Sequence, residues 1–148
     1  MLLVLNMVKL EEKGVWVPIE VRSGDIIEKT TGLLNTGYRT EEPYIAIPGS
    51  LSRRLNISPK GIEETAPSLL KTDSEVEVRV VTEDKASDWV RAKVHIHVFR
   101  AYILISASLA SSLEIGIYDT FEGLWFFRNE GLNRIRKSAK PVLYPVKI

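Results

Sequence analysis

The chain has no cysteine, only two histidines and two methionines in 148 residues, and no long apolar run. Without cysteine there is no disulfide framework and no thiolate chemistry, and a reducing compartment fits, so a cytoplasmic location is expected. An excess of one charge is missing as well. Twenty basic residues against nineteen acidic ones leave a net charge of +1, so neither a nucleic acid nor an anionic membrane is expected as a partner. The opening MLLVLNMV is apolar for only a few residues before Lys9, Glu11 and Glu12. That is too short for a spanning helix and lacks the basic start and cleavage site of a signal peptide, so it reads as a strand. The length fits one domain over 1–148 with its own core, and no linker or low-complexity tract interrupts it.

What is present is mostly period-two alternation, which predicts an all-β fold. Val15, Val17, Ile19 and Val21 alternate with Trp16, Pro18, Glu20 and Arg22, and Ser23-Gly24-Asp25 supplies a turn. Val76, Val78 and Val80 alternate with Glu77 and Arg79; after TEDKASD, Val90, Ala92, Val94, Ile96 and Val98 alternate with Arg91, Lys93, His95 and His97. The second hairpin is expected to bury one face. Between them, SPKGIEETAPS reads as a mobile excursion.

An internal echo carries more information. IAIPGSLSRRLNI (45–57) and ILISASLASSLEI (103–115) align without a gap and share Ile45/Ile103, Ile47/Ile105, Ser50/Ser108, Leu51/Leu109, Leu55/Leu113 and Ile57/Ile115. Each reads as a buried strand running into a short helix. Ser50 and Ser108 are the expected N-caps, and the leucines four apart lie on one helical face that docks on the sheet. Two similar corners from an apolar-rich composition would give part of this pattern; a duplication with a local pseudo-dyad gives all of it.

The order of these pieces resembles retropepsin-like (retroviral-type) aspartic peptidases over roughly residues 15–130. Gly32-Leu33-Leu34-Asn35-Thr36-Gly37 is similar to that family's Ala-Leu-Ile-Asp-Thr-Gly, departing notably at Gly32 and Asn35. AIPGSLSRRLNI resembles the LP..LA..LGI that follows in cellular and archaeal members, and LISASLASSLEIGIYDTFEGLWFF is similar to their closing segment. The resemblance implies a half-barrel with an internal pseudo-twofold and two short helices, working as a C2 homodimer without cofactor or metal. It implies one catalytic residue per subunit at position 35, with Thr36 bracing the two active-site loops and Gly37 allowing the tight backbone. A flap is implied at about 61–74, with its tip near Ala66, Pro67 and Ser68. Leu34, Tyr38, Leu104 and Ile105 are implied to form pockets for an extended polypeptide. Pro141 to Ile148 and the apolar start are implied as interface strands, with Pro145 restricting the former to an edge.

In such a dyad two carboxyl groups about 3 Å apart share one proton, so one activates water while the other polarises the scissile carbonyl. Asn35 breaks this step. An amide keeps the shape and the hydrogen bonding of a carboxylic acid but takes no proton from water at ordinary pH. General acid–base catalysis contributes about 10²–10⁴ in rate, and a homodimer carries the amide twice, so negligible turnover is expected. Three origins stay open: an engineered Asp-to-Asn change, a natural pseudoenzyme that binds peptide or assembles without cutting, or an ordinary Asn-Thr-Gly turn. Ser106-Ala107-Ser108, where many active relatives have Gly-Arg-Asn/Asp, tilts toward drift, but archaeal-looking members often carry Leu-Ile-Ser at this point, so the origins stay balanced.

Other candidates are weaker. Asp119-Thr120 is followed by Phe121 rather than glycine and reads as a structural turn. His95 and His97 share a strand face but have no third ligand at useful spacing, so they read as two solvated side chains. FFRNEGLNRIRKSAK (126–140) mixes aromatics with basic residues as single-strand binders do, yet Trp125, Phe126 and Phe127 are expected to pack, with the charges solvated.

Overall fold

Valine-rich strands that alternate every second residue can hide one face only by closing on themselves or on a partner layer. Here they close. The computed structural model describes residues 14–146; the expected strand in MLLVLNMV lies outside them. Among the described residues nine strands form: β1 (Trp16–Ser23), β2 (Ile26–Leu34), β3 (Tyr44–Pro48), β4 (Gly61–Ile62), β5 (Leu69–Val80), β6 (Val90–His97), β7 (Ile103–Ile105), β8 (Ile115–Asp119) and β9 (Leu124–Phe127). Two short helices among these residues, α1 (Gly49–Arg54) and α2 (Ala107–Ser112), follow β3 and β7. A 3₁₀ segment spans Arg128–Asn133.

The order β1-β2-β7-β3-β6-β5, with β5 pairing back onto β1, is a closed six-stranded barrel. Closure leaves those six strands no free edge as a template for aggregation. β1 and β2 are joined at Gly24, whose φ of +57° a two-residue turn requires and glycine adopts without strain. Strand β7 lies parallel to β2 and antiparallel to β3, so it sits between two strands that loop 35–43 connects. At Gly32 on β2 an added Cβ would lie 2.5 Å from Ile105 Cδ1, so glycine there lets β2 close on the β7 side chain.

The barrel interior takes Val17, Ile19, Val21, Val78, Val80, Val94, Ile96, Ile103 and Ile105, with Leu51, Leu55, Leu109 and Leu113 from the helices. Burying each such side chain contributes about 1.5–3 kcal/mol. The opposite strand face is not simply polar. Trp16, Leu33, Ala46, Leu69, Ala101, Tyr102 and Leu104 form a second apolar cluster, in which Trp16 meets Tyr102 edge to face at 5.2 Å. Elsewhere on that face charges order themselves: Arg22 and Arg79 both lie against the Trp89 ring and pair with Glu77 and Glu20.

The echo becomes two strand–helix corners. Both helices end in a left-handed residue at the same relative place, Asn56 (φ 58°) and Glu114 (φ 60°). The expected caps are corrected: Ser50 and Ser108 lie inside the helices, two residues past the cap positions. The N-cap positions are Pro48, which has no side-chain donor or acceptor to offer, and Ser106, whose Oγ accepts from Leu109 N–H at 3.1 Å.

Two further expectations change. His95 and His97 are buried, at 4% and 3% exposure, because loop 35–43, the β4–β5 hairpin and the outer cluster cover their strand face. The described part of the C-terminal stretch, 141–146, forms no strand; its backbone bonds to its own chain instead. Val142 N–H donates to Thr31 Oγ1, Tyr144 N–H to Ala101 O, and the Tyr144 hydroxyl reaches Glu28 and Thr30. With Pro141 and Pro145 removing two donors, a ladder is harder to complete than this strap.

The remaining side readings resolve structurally. Asp119 Oδ1 accepts from Phe121 and Glu122 N–H, a turn between β8 and β9. Trp125 and Phe127 are core, while Arg136 pairs with Asp84 and Glu130 and packs over both rings. Arg136 draws the Asp84 carboxyl far below the usual carboxylate range. Among the described residues no helix is long and apolar enough to cross a membrane.

Candidate functional site

Loop 35–43 is built by its own short-range bonds. Asn35 N–H donates to Ile105 O at 3.2 Å, tying the loop to the end of β7. Asn35 Oδ1 accepts from Gly37 N–H at 2.9 Å, and Asn35 O accepts from Tyr38 N–H at 3.0 Å, which closes a tight turn. Farther on, Ala107 N–H at the start of α2 donates to Tyr38 O, while Ser106 Oγ also accepts from Tyr44 N–H. The turn following β2 is therefore fixed to the corner following β7. Asn35 is half-buried, and Thr36 and Gly37 are exposed.

Beside this turn lies an open cleft of about 460 Å³. Its lining includes Tyr38, Tyr44 and His95, with Glu63, Ala66 and Leu69 from the β4–β5 hairpin and further residues of loop 35–43. Tyr44 stacks on the His95 ring, centroids 4.1 Å apart and 13° from parallel. The Tyr38 hydroxyl lies 2.6 Å from His95 Nδ1, and Glu63 Oε2 lies 3.3 Å from His95 Nε2. A neutral imidazole satisfies both contacts at once: the phenol O–H donates to Nδ1, and Nε2–H donates to the carboxylate.

The environment favours that state. Burial lowers the His95 pKa against the opposing pull of Glu63. Burial also pushes the Tyr38 phenol far above its usual range, helped by Tyr44 and Glu63. For Glu63 burial works upward, but the His95 hydrogen bond and Lys71 outweigh it and bring the carboxyl below normal. His97, two residues along β6, is different: burial lowers it to about 4 against a weaker upward pull from the Tyr102 and Ala46 backbone, and neither ring nitrogen makes a well-formed hydrogen bond.

The residues implied by the resemblance are brought together only in part. Gly37, Tyr38 and Ala66 line the cleft, and Pro67 and Ser68 are exposed at the hairpin tip. Leu34 is half-buried against the barrel core, while Leu104 and Ile105, at 6% and 0% exposure, belong to the two apolar clusters and do not line the cleft in the single chain. The hairpin is less free than the excursion read in SPKGIEETAPS: Leu69, Leu70 and Lys71 pair with His97, Ile96 and His95, so it extends the sheet and only 63–68 project. His95 and Glu63 were not legible as a pair, since their meeting depends on the register of Lys71 opposite His95. Among the described residues no three His, Asp or Glu side chains converge as metal ligands. No family model, curated protein or solved structure matches the chain.

Proposed function

We propose that the chain is a retropepsin-type half-site that assembles as a C2 homodimer around an extended polypeptide, and that Asn35 holds it catalytically silent. One observation carries the reading: the Asn-Thr-Gly turn closing β2 is hydrogen-bonded to the end of β7, and the β3–α1 corner, a hairpin and the β7–α2 corner follow in the resembled order. Two copies facing through Thr36 and Gly37, both exposed, would bring two residues 35 together. With aspartates there, one would serve as base and the other as acid. Two amides supply neither, so the assembled cleft binds without cutting.

A second reading, a polypeptide-binding or assembly module with no catalytic ancestry in use, is favoured by the turn itself. Asn35 Oδ1 is already engaged by Gly37 N–H, so the amide serves the backbone as an uncharged acceptor. Both readings require a dimer. Sedimentation at micromolar concentration is expected to give twice the 16.7 kDa chain mass, and a stable monomer would remove both.

A further inference from the structure

The β4–β5 hairpin, β6 and loop 35–43 meet at one buried imidazole. We infer that the chain Tyr38–His95–Glu63 is a proton-operated clasp that holds the hairpin tip over the cleft and releases it when His95 is protonated. The inference does not depend on dimerisation or on peptide binding; it concerns how the cleft of a single chain opens.

Three observations carry it. First, the bonds join separate elements: Tyr38 belongs to the loop after β2, His95 to β6, and Glu63 to the turn at the hairpin tip. Second, the tip's other attachment is the packing of Ala66 against the outer apolar cluster. Glu64, Thr65, Pro67 and Ser68 are exposed, and the backbone bonds of Glu63, Ala66 and Leu69 N–H run within the hairpin. Third, the closed arrangement uses both ring nitrogens of a neutral imidazole in opposite senses. A proton on Nδ1 turns an acceptor into a donor facing the Tyr38 O–H, whose hydrogen must then find another acceptor in a half-buried site.

The charged and titratable groups around His95 are Tyr38 on the loop, Tyr44 on β3, Glu63 on the hairpin, Lys71 opposite it on β5, and the Glu42–Lys93 pair beside the cleft. Glu63 favours the protonated ring, but burial opposes it and is the larger influence. With its pKa lowered in the closed state, His95 takes up a proton more readily once freed. Falling pH through the ordinary histidine range, near about 6.5, therefore favours opening. Glu63 is lowered as well, so further acidification into the carboxylate range pushes the same way.

The test is amide hydrogen exchange of residues 61–71 at about pH 7.5 and about pH 5, corrected for intrinsic exchange, with β1 and β2 as the internal reference for a folded barrel. The wild-type chain should lose protection in 61–71 on acidification while the reference changes little. Glu63→Ala should lose it already at the higher pH. Tyr38→Phe, which keeps the ring and removes only the hydroxyl, should weaken both the protection and its pH dependence. Wild-type protection that ignores pH overturns the clasp. So does a pH dependence that persists unchanged in both variants, which would assign the effect to His97 instead. If Glu63→Ala also loses protection in β1 and β2, the Tyr38→Phe and wild-type results decide.

Discussion

The two strand–helix corners share six identities and the same left-handed exit, yet their polar groups are treated in opposite ways. At β7–α2 the junction residue is Ser106, fully buried, and its Oγ accepts from both Leu109 and Tyr44 N–H. At β3–α1 the junction residue is Pro48, the helix has no side-chain cap, and the Ser50 hydroxyl is buried without a partner. Pro48 also stands in register with His97, whose two ring nitrogens make no well-formed hydrogen bond either. Apolar packing is thus repeated faithfully, whereas hydrogen bonding is complete in one copy and incomplete in the other. Non-directional contacts tolerate a change of neighbour; a cap needs one donor and one acceptor in place.

If packing is the shared part, Leu51→Ala and Leu109→Ala should cost about the same, about 2–5 kcal/mol each, because both side chains are fully buried. Chemical denaturation measures this, and a gap much wider than about 1 kcal/mol would mean that one corner is the true keystone. The buried ring of His97 should show as acid lability. Its pKa of about 4 lies below the unfolded value of about 6.5, so stability is full above the unfolded value and falls as pH drops toward 4. The loss approaches about 3 kcal/mol, read from urea midpoints between pH 7 and 4 and removed largely in His97→Gln.

Capping gives a smaller, asymmetric effect. Ser106→Ala strands two N–H groups and should cost about 1–3 kcal/mol, while Ser50→Ala removes an unpaired hydroxyl and should change stability by less than about 0.5 kcal/mol. Smallest is the exit. Glu114→Gly relieves a left-handed residue and should stabilise by about 0.5–1 kcal/mol; Asn56→Gly should gain less, because asparagine tolerates that region. Thermal unfolding of the two variants side by side checks the order.

The sequence made the all-β character, both main hairpins and both strand–helix corners legible, because each is a local pattern of apolar spacing. The two histidines were misjudged, since alternation predicts two faces but not whether a loop or a second cluster covers the outer one. The caps were displaced because a serine inside the first turn and a serine before it look alike in an unaligned string. In the site, Asn35-Thr36-Gly37 and Tyr38 could be singled out only through the resemblance to a family, while Glu63 and His95 meet only through long-range register.

The central claim is that one amide separates this cleft from chemistry, and cleavage of an unfolded protein substrate tests it most directly. The chain as it stands and Asn35→Asp should be compared between about pH 3 and 7, where a carboxyl dyad shares its proton. The account predicts no turnover for the asparagine form and pepstatin-sensitive cleavage for Asn35→Asp. Cleavage by the asparagine form, or none by a dimeric Asn35→Asp, would contradict it.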